Sequence, residues 1–206
     1  MNLLVESQYF PPSILFKISI NISNVKFDIY ESFRKMSFRN RCMVAGANGP
    51  ILLSVPLQEG REQRKAMREV LIDNKKNWQA QHWKTITSCY NRSPWFDFFC
   101  DELADIYRQP FRFLVDWNRT CFDWTATKMG LPVTTGFTEN DQPRGEALGY
   151  QDWRNRLVPR SIEKDFPEAI RYRQVFEDRT GFIPHLSVLD LLFCEGKNAR
   201  RILTGA

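Results

Sequence analysis

The sequence predicts an α/β protein: an N-terminal β-α-β unit and a β-hairpin, followed by a mostly helical C-terminal half. Three observations carry this. A short apolar run, Leu3-Leu4-Val5, is followed by a loop, by apolar residues at helical spacing and by a second apolar run. Asn48-Gly49 separates two strand-like segments. From Trp78 onward, apolar residues recur at intervals of three and four, up to a stop at Gly130 and Pro132.

The elements follow in order. Leu3 to Val5 reads as a buried strand, and Glu6 to Ser13 as a loop whose Pro12 suits the first turn of a helix. Ile14, Leu15, Ile18 and Ile22 mark that helix, and Val25 to Tyr30 the second strand. This is a β-α-β unit of Rossmann-like type. Ligands in such units sit at the carboxyl ends of the strands, here Glu6-Ser7-Gln8 and Glu31-Ser32. In the hairpin, Asn48-Gly49 calls for positive φ at both central residues, and alternation puts Arg39 and Arg41 on one strand face. Gln58 to Lys65 is a polar surface loop, and Val70 to Ile72 reads as a short strand. Three helices follow, carrying Trp78 to Tyr90, Phe96 to Tyr107 and Leu114 to Trp124. Ser93-Pro94 would start the second and Pro110 the third. Val133 to Phe137 reads as a strand, and residues 138–166 as a long loop or cover, a kind of segment that is often functional. Ser187 to Asp190 resembles a capping box before an apolar helix, with Asp190 a helix-capping residue, and Gly196 ends that helix.

The 206 residues fit one domain over 1–206: an α/β and helical core at 1–137, the cover at 138–166 and a helical segment at 167–206. The formal net charge of +5 is mild for this length. It argues against a nucleic-acid binder and suits a local anion site. Five cysteines without CxxC spacing predict reduced thiols rather than a disulfide framework, and two distant histidines point to no metal site. The N-terminus lacks a basic leader, and no window is long and apolar enough to span a bilayer. A cytoplasmic protein is expected, with oligomers open, no membrane partner, and no cofactor assigned.

Several residues have the right chemistry for a site. Arg39 and Arg41, with Arg34 and Lys35 nearby, would hold a phosphate or carboxylate through bidentate forks; the competing reading is a solvated basic strand edge. His82 is the candidate acid-base group, because an imidazole titrates near neutrality; the competing reading is a core histidine between Trp78, Trp83 and Ile86. Glu31, at a strand's carboxyl end, is a second candidate for proton transfer. Gln8 and Tyr9 would line the pocket after the first strand, and Tyr90 and Asn91 would share it with His82 if their helix continues. Asn91 can equally cap that helix.

The chain resembles the WbqC family. The matching segments are Gln8-Tyr9-Phe10-Pro11-Pro12, Phe38-Arg39-Asn40-Arg41-Cys42 with Ala45-Gly46-Ala47-Asn48-Gly49-Pro50, Leu53-Ser54-Val55-Pro56, His82-Trp83-Lys84-Thr85-Ile86, Tyr90-Asn91-Arg92-Ser93-Pro94-Trp95-Phe96, and Gly181 to Phe193. Their order and spacing look like the Bacteroidetes-type version. The resemblance implies a role in bacterial surface-polysaccharide, O-antigen-like biosynthesis, with no settled reaction. Within that context the expected function is a transferase acting on a nucleotide-linked sugar or another small anionic metabolite. The alternative is a non-catalytic binding or scaffold protein with a degenerate nucleotide-binding fold. The family pattern has Asn where this chain has His185, so a shared base there is not implied. The opening also resembles nucleotidyltransferases of the HIGH-motif type, but its loop lacks their histidines, which counts against nucleotidyl transfer.

Overall fold

In a computed structural model of the chain, which describes residues 1–141 and 149–205, the elements β1 (Asn2–Glu6), α1 (Ser13–Ser19) and β2 (Asn24–Asp28) form the predicted β-α-β unit. After it come the hairpin strands β3 (Arg41–Gly46) and β4 (Gly49–Ser54), then three long helices, α2 (Trp78–Tyr90), α3 (Phe96–Arg108) and α4 (Leu114–Lys128). The remaining strands are β5 (Thr134–Phe137) and β6 (Tyr150–Asp152), and the remaining helices α5 (Ile162–Asp165), α6 (Glu177–Thr180), α7 (Val188–Glu195) and α8 (Ala199–Thr204).

The four-stranded sheet has the order β5-β2-β1-β6, and every pairing in it is parallel. Its registers align the strand starts: Asn2 faces Asn24 and Tyr150, and Asn24 faces Thr134. All four carboxyl ends therefore open on one edge. The central β1 is apolar because neighbours cover it, with Leu3 and Val5 buried completely. Phe16 of α1 stacks on Phe122 of α4 at 4.7 Å between centroids, and Phe27 of β2 meets Phe122 edge-on at 5.2 Å. That triplet welds helix, strand and long helix into one core.

The loop from Gln8 to Pro12 is a structural keystone. Ser187 Oγ donates to the Phe10 carbonyl at 2.9 Å, and the Val188 amide donates to Pro11 at 2.9 Å. The Ser13 amide donates to Leu186 at 3.3 Å, and the Tyr9 amide to Phe38 at 2.9 Å. These bonds explain why distant motif segments keep their spacing: they bury one another. One of them takes up the Ser13 amide, the first of α1.

Several local expectations are corrected. The hairpin turn is centred on Ala47 and Asn48, since Gly46 pairs with Gly49; only Gly49 takes a positive φ, of 118°. Arg39 and Arg41 do not share a strand face, because β3 starts at Arg41 and Arg39 lies in the preceding turn. α1 ends at Ser19, so Ile22 lies beyond it. Leu71 and Ile72 form isolated bridges to Phe113 and Leu57 in place of a strand. Trp95 stands at the start of α3, while Ser93 Oγ donates back to the Tyr90 carbonyl at 2.7 Å. α4 starts at Leu114, past Pro110. Within 138–166 the chain forms β6 and α5; the part of the expected cover at 142–148 lies outside the described residues. Ser187 caps α7 as expected, by accepting from the Leu189 amide at 3.3 Å. Asp190 is no cap: both its oxygens are taken inside the core. Gly196 closes α7 at φ 53°, and a Cβ there would lie 2.0 Å from the Trp95 ring.

Candidate active site

The carboxyl edge of the parallel sheet holds a cleft of about 350 Å³. The last residue of β2, Asp28, and the turn after it, with Tyr30, Glu31, Ser32 and Arg34, form one side. The turn after β6 supplies Arg154 and Asn155, and Asp141 follows β5. Strand polarity explains the convergence, since each parallel strand delivers its next few residues to the same edge.

The floor is an ordered lattice of ion pairs. Arg39 enters from below with its side chain 2% exposed, against 11% for Glu31. Its Nε and Nη2 donate to Glu31 Oε1 at 2.9 and 2.5 Å, and Nη2 also donates to Asn155 Oδ1 at 2.8 Å. Arg154 binds Asp152 in a two-pronged fork, Nε to Oδ1 at 3.0 Å and Nη2 to Oδ2 at 2.7 Å, and reaches Asp28 Oδ2 at 2.6 Å. Asp28 Oδ1 accepts from the Tyr30 and Glu31 amides at 2.9 and 3.3 Å, which fixes the turn that presents Glu31. Glu6 lies deeper. It accepts from Gln8 Nε2 at 2.8 Å and from the Asn155 amide at 2.7 Å. Asn155 therefore ties the ends of β1 and β2 to β6, at a left-handed φ of 61° that asparagine tolerates.

Glu31 is the chemically distinctive member. Burial raises its pKa above the usual carboxylate value, with the Glu6 and Asp28 charges adding and Arg39 opposing. Its Oε1 is held by Arg39, whereas Oε2 has, among the described residues, one long contact, 3.5 Å from Asn155 Nδ2. A carboxyl oriented through one oxygen, with its proton affinity raised, can give and take a proton at the other.

The other predicted site residues lie elsewhere, and His82 is the principal correction. It is buried, with Nδ1 2.9 Å from the Tyr9 hydroxyl, which lies 2.6 Å from that of Tyr107. Its ring stacks on Tyr9 and meets Trp78 edge-on. Burial lowers its pKa to about 4, so it is neutral near pH 7 and does not line the cleft. Tyr9 belongs to the same aromatic core. Tyr90 is also interior: its hydroxyl donates to Asp190 Oδ1 at 2.7 Å and accepts from the Ala45 amide at 2.9 Å. Asn91 stands exposed at the end of α2, apart from the buried His82. Lys35 points outward and pairs with Glu62 at 2.6 Å. Arg41 is half-buried at the start of β3, its Nη1 3.1 Å from Met36 Sδ. Gln8 touches the site only through Glu6.

Arg154, Asn155, Asp152 and Asp28 were not singled out from sequence, and Glu6 was placed at a strand's carboxyl end without an assigned role. Asp28 and Glu6 end strands, which was the available signal. Arg154 and Asn155 follow a three-residue strand, Tyr150-Gln151-Asp152, with no apolar alternation. Among the described residues no group of three or more His, Cys, Asp or Glu side chains is arranged to hold a metal ion, and no helix is long and apolar enough to cross a membrane.

A family model described as the WbqC-like protein family matches residues 7–158. Comparison with curated proteins returned no match, and comparison with solved structures returned none either.

Proposed function

The chain belongs to the WbqC-like protein family, and from that premise we propose that it is a transferase acting at the sheet-edge cleft on a nucleotide-linked sugar or a similar small anionic substrate, in surface-polysaccharide biosynthesis. The observation that carries the enzymatic part is Glu31, a carboxyl of raised pKa held by Arg39 at the wall of a cleft. Active sites are where burial and charge are arranged in this way. Glu31 as carboxylate would take the proton from an attacking hydroxyl or amine as that atom's bond to the transferred group forms and the group's bond to the nucleotide phosphate breaks; the nucleotide leaves with the bonding electron pair, and Glu31 would then pass the proton to the departing phosphate or to water. Arg39 acts through Glu31, as a positioning residue, because its Nε and Nη2 donate to Glu31 and Asn155 and Arg39 itself does not line the cleft. The polysaccharide context rests on the family resemblance.

A second reading, a non-catalytic binding protein, is favoured by one feature: Arg39 and Arg154 both face carboxylates, as they would in a purely structural lattice. Metabolite capture on the purified chain, followed by mass spectrometry and turnover with the captured class, separates the two. Glu31→Gln is expected to lower turnover by roughly 10²-fold or more while binding persists. Unchanged turnover in that variant would refute the role of Glu31, and binding without turnover in the wild type would support the second reading.

A further inference from the structure

The hydrogen bonds of the cleft define which end of a ligand it accepts. Four carboxylates in the floor, Glu6, Asp28, Glu31 and Asp152, surround two guanidiniums, Arg39 and Arg154. Arg39 spends its fork on Glu31 and Asn155, and Arg154 spends its fork on Asp152 and Asp28. The floor is thus rich in acceptors and negative in balance. An incoming phosphate would meet net repulsion there, whereas hydroxyl or amine donors would find the lone pairs of Glu31 Oε2.

Two basic residues nearby, Lys35 and Arg41, do not line the cleft. Lys35 pairs with Glu62, and Arg41 leans on Met36. Neither Arg41 nor Arg34 has a carboxylate partner among the described residues, but Arg34 lines the cleft and is exposed, whereas Arg41 is half-buried and does not line it. Arg34 follows Glu31 by three residues in one turn, which puts a free guanidinium on the rim above an acceptor floor. Ser32, between them on the lining, adds a hydroxyl.

We propose that the cleft binds a bipolar ligand in one orientation, with a polyhydroxylated, donor-bearing end inward on Glu31 and an anionic group outward on Arg34. This places anion recognition at Arg34 rather than at Arg39 and Arg41. The proposal rests on the cleft being the substrate site, and makes Arg34 a specificity-determining residue of it. A sugar carrying a phosphate fits this polarity; free phosphate does not.

The test uses the full chain and three probes: methyl N-acetylglucosaminide, N-acetylglucosamine 1-phosphate and inorganic phosphate. Calorimetric titration of wild type and Arg34→Ala is read together with the ¹³C carboxyl resonance of Glu31, assigned from Glu31→Gln. The phosphorylated sugar is expected to bind wild type roughly tenfold more tightly than the neutral one, and Arg34→Ala to erase that difference without weakening the neutral sugar. Both sugars are expected to move the Glu31 resonance, and phosphate to leave it in place. The proposal is overturned if phosphate alone moves Glu31, if Arg34→Ala leaves the preference intact, or if neither sugar binds. Arg34 is exposed, so its variant will fold. Oriented binding without turnover would remove the transferase reading and leave this one standing; turnover with an unaltered Arg34→Ala preference would do the reverse.

Discussion

Replacing Arg39 with methionine isolates the energetics of the cleft floor. The guanidinium is 2% exposed, makes two bonds to Glu31 and one to Asn155, and is the only cation bonded to that carboxyl among the described residues. Methionine keeps much of the volume and removes the charge, leaving Glu31 buried beside the Glu6 and Asp28 carboxylates. Removing one partner of a buried pair costs about 3–5 kcal/mol. For a chain of 206 residues, each kcal/mol lowers Tm by about 2–4 °C, so Arg39→Met should melt about 6–20 °C below wild type. The deficit must depend on pH. Glu31 already has a folded pKa above its unfolded value, and without Arg39 it rises further. The folded state then holds the extra proton, so stability falls as pH increases through the interval between the two values. The variant should be closest to wild type in acid and furthest from it at pH 8. Arg39→Met with Glu31→Gln removes both charges and should recover most of the loss, as neutralised pairs do. Urea denaturation at pH 5 and pH 8 provides the numbers. A loss below about 1 kcal/mol for the single variant, or a double variant no better than the single, would show that this is not a buried pair of the kind described.

Two further outcomes follow from the interior. His82, with a folded pKa of about 4 against 6.5 for a free imidazole, contributes stability that is complete above pH 6.5 and is lost as pH falls toward 4. His82→Gln should flatten that acid slope in denaturation midpoints, and a wild-type imidazole titrating near 6.5 by NMR would contradict its placement. Asp190 accepts from the Tyr90 and Tyr172 hydroxyls at 2.7 Å each, and burial lifts its pKa to about 6. Asp190→Ala should cost about 2–4 kcal/mol by orphaning both hydroxyls, measured against Asp190→Asn, which should also abolish the decline in stability between pH 3.8 and 6.

The fold was legible where pattern and period agree. The β-α-β opening and the long helices announce themselves through apolar spacing, because burial on a sheet or along a helix face imposes that spacing. The helix start at Ser93-Pro94 misled, since the Ser93 hydroxyl bonds back to the Tyr90 carbonyl of the preceding helix instead of capping the next one, and α4 starts at Leu114, past Pro110. The site was half legible. Glu31 could be singled out because strand polarity predicts where ligands meet a parallel sheet. Arg39 stood out, but its engagement with Glu31 and Asn155 did not, because Asn155 lies 116 residues away and its strand has no hydrophobic signature. His82 shows the reverse failure. Its helical spacing beside Trp78 was visible, yet only the folded loop reveals that Tyr9 closes over it.

The sheet order carries a consequence for synthesis. β1 and β2 pair locally across α1, but both their outer neighbours come much later: β5 begins at Thr134 and β6 at Tyr150. On a ribosome adding 5–20 residues per second, roughly 5–20 s separate the completion of β2 from the emergence of β5. Throughout that interval the nascent β-α-β unit has two uncovered strand edges, the surfaces on which stray pairing begins. The carboxylates at its growing edge, Glu6, Asp28 and Glu31, are still without Arg154 and Asn155. The charge that later organises the cleft would keep two such nascent units from pairing with each other, so the same residues would guard the chain before they act.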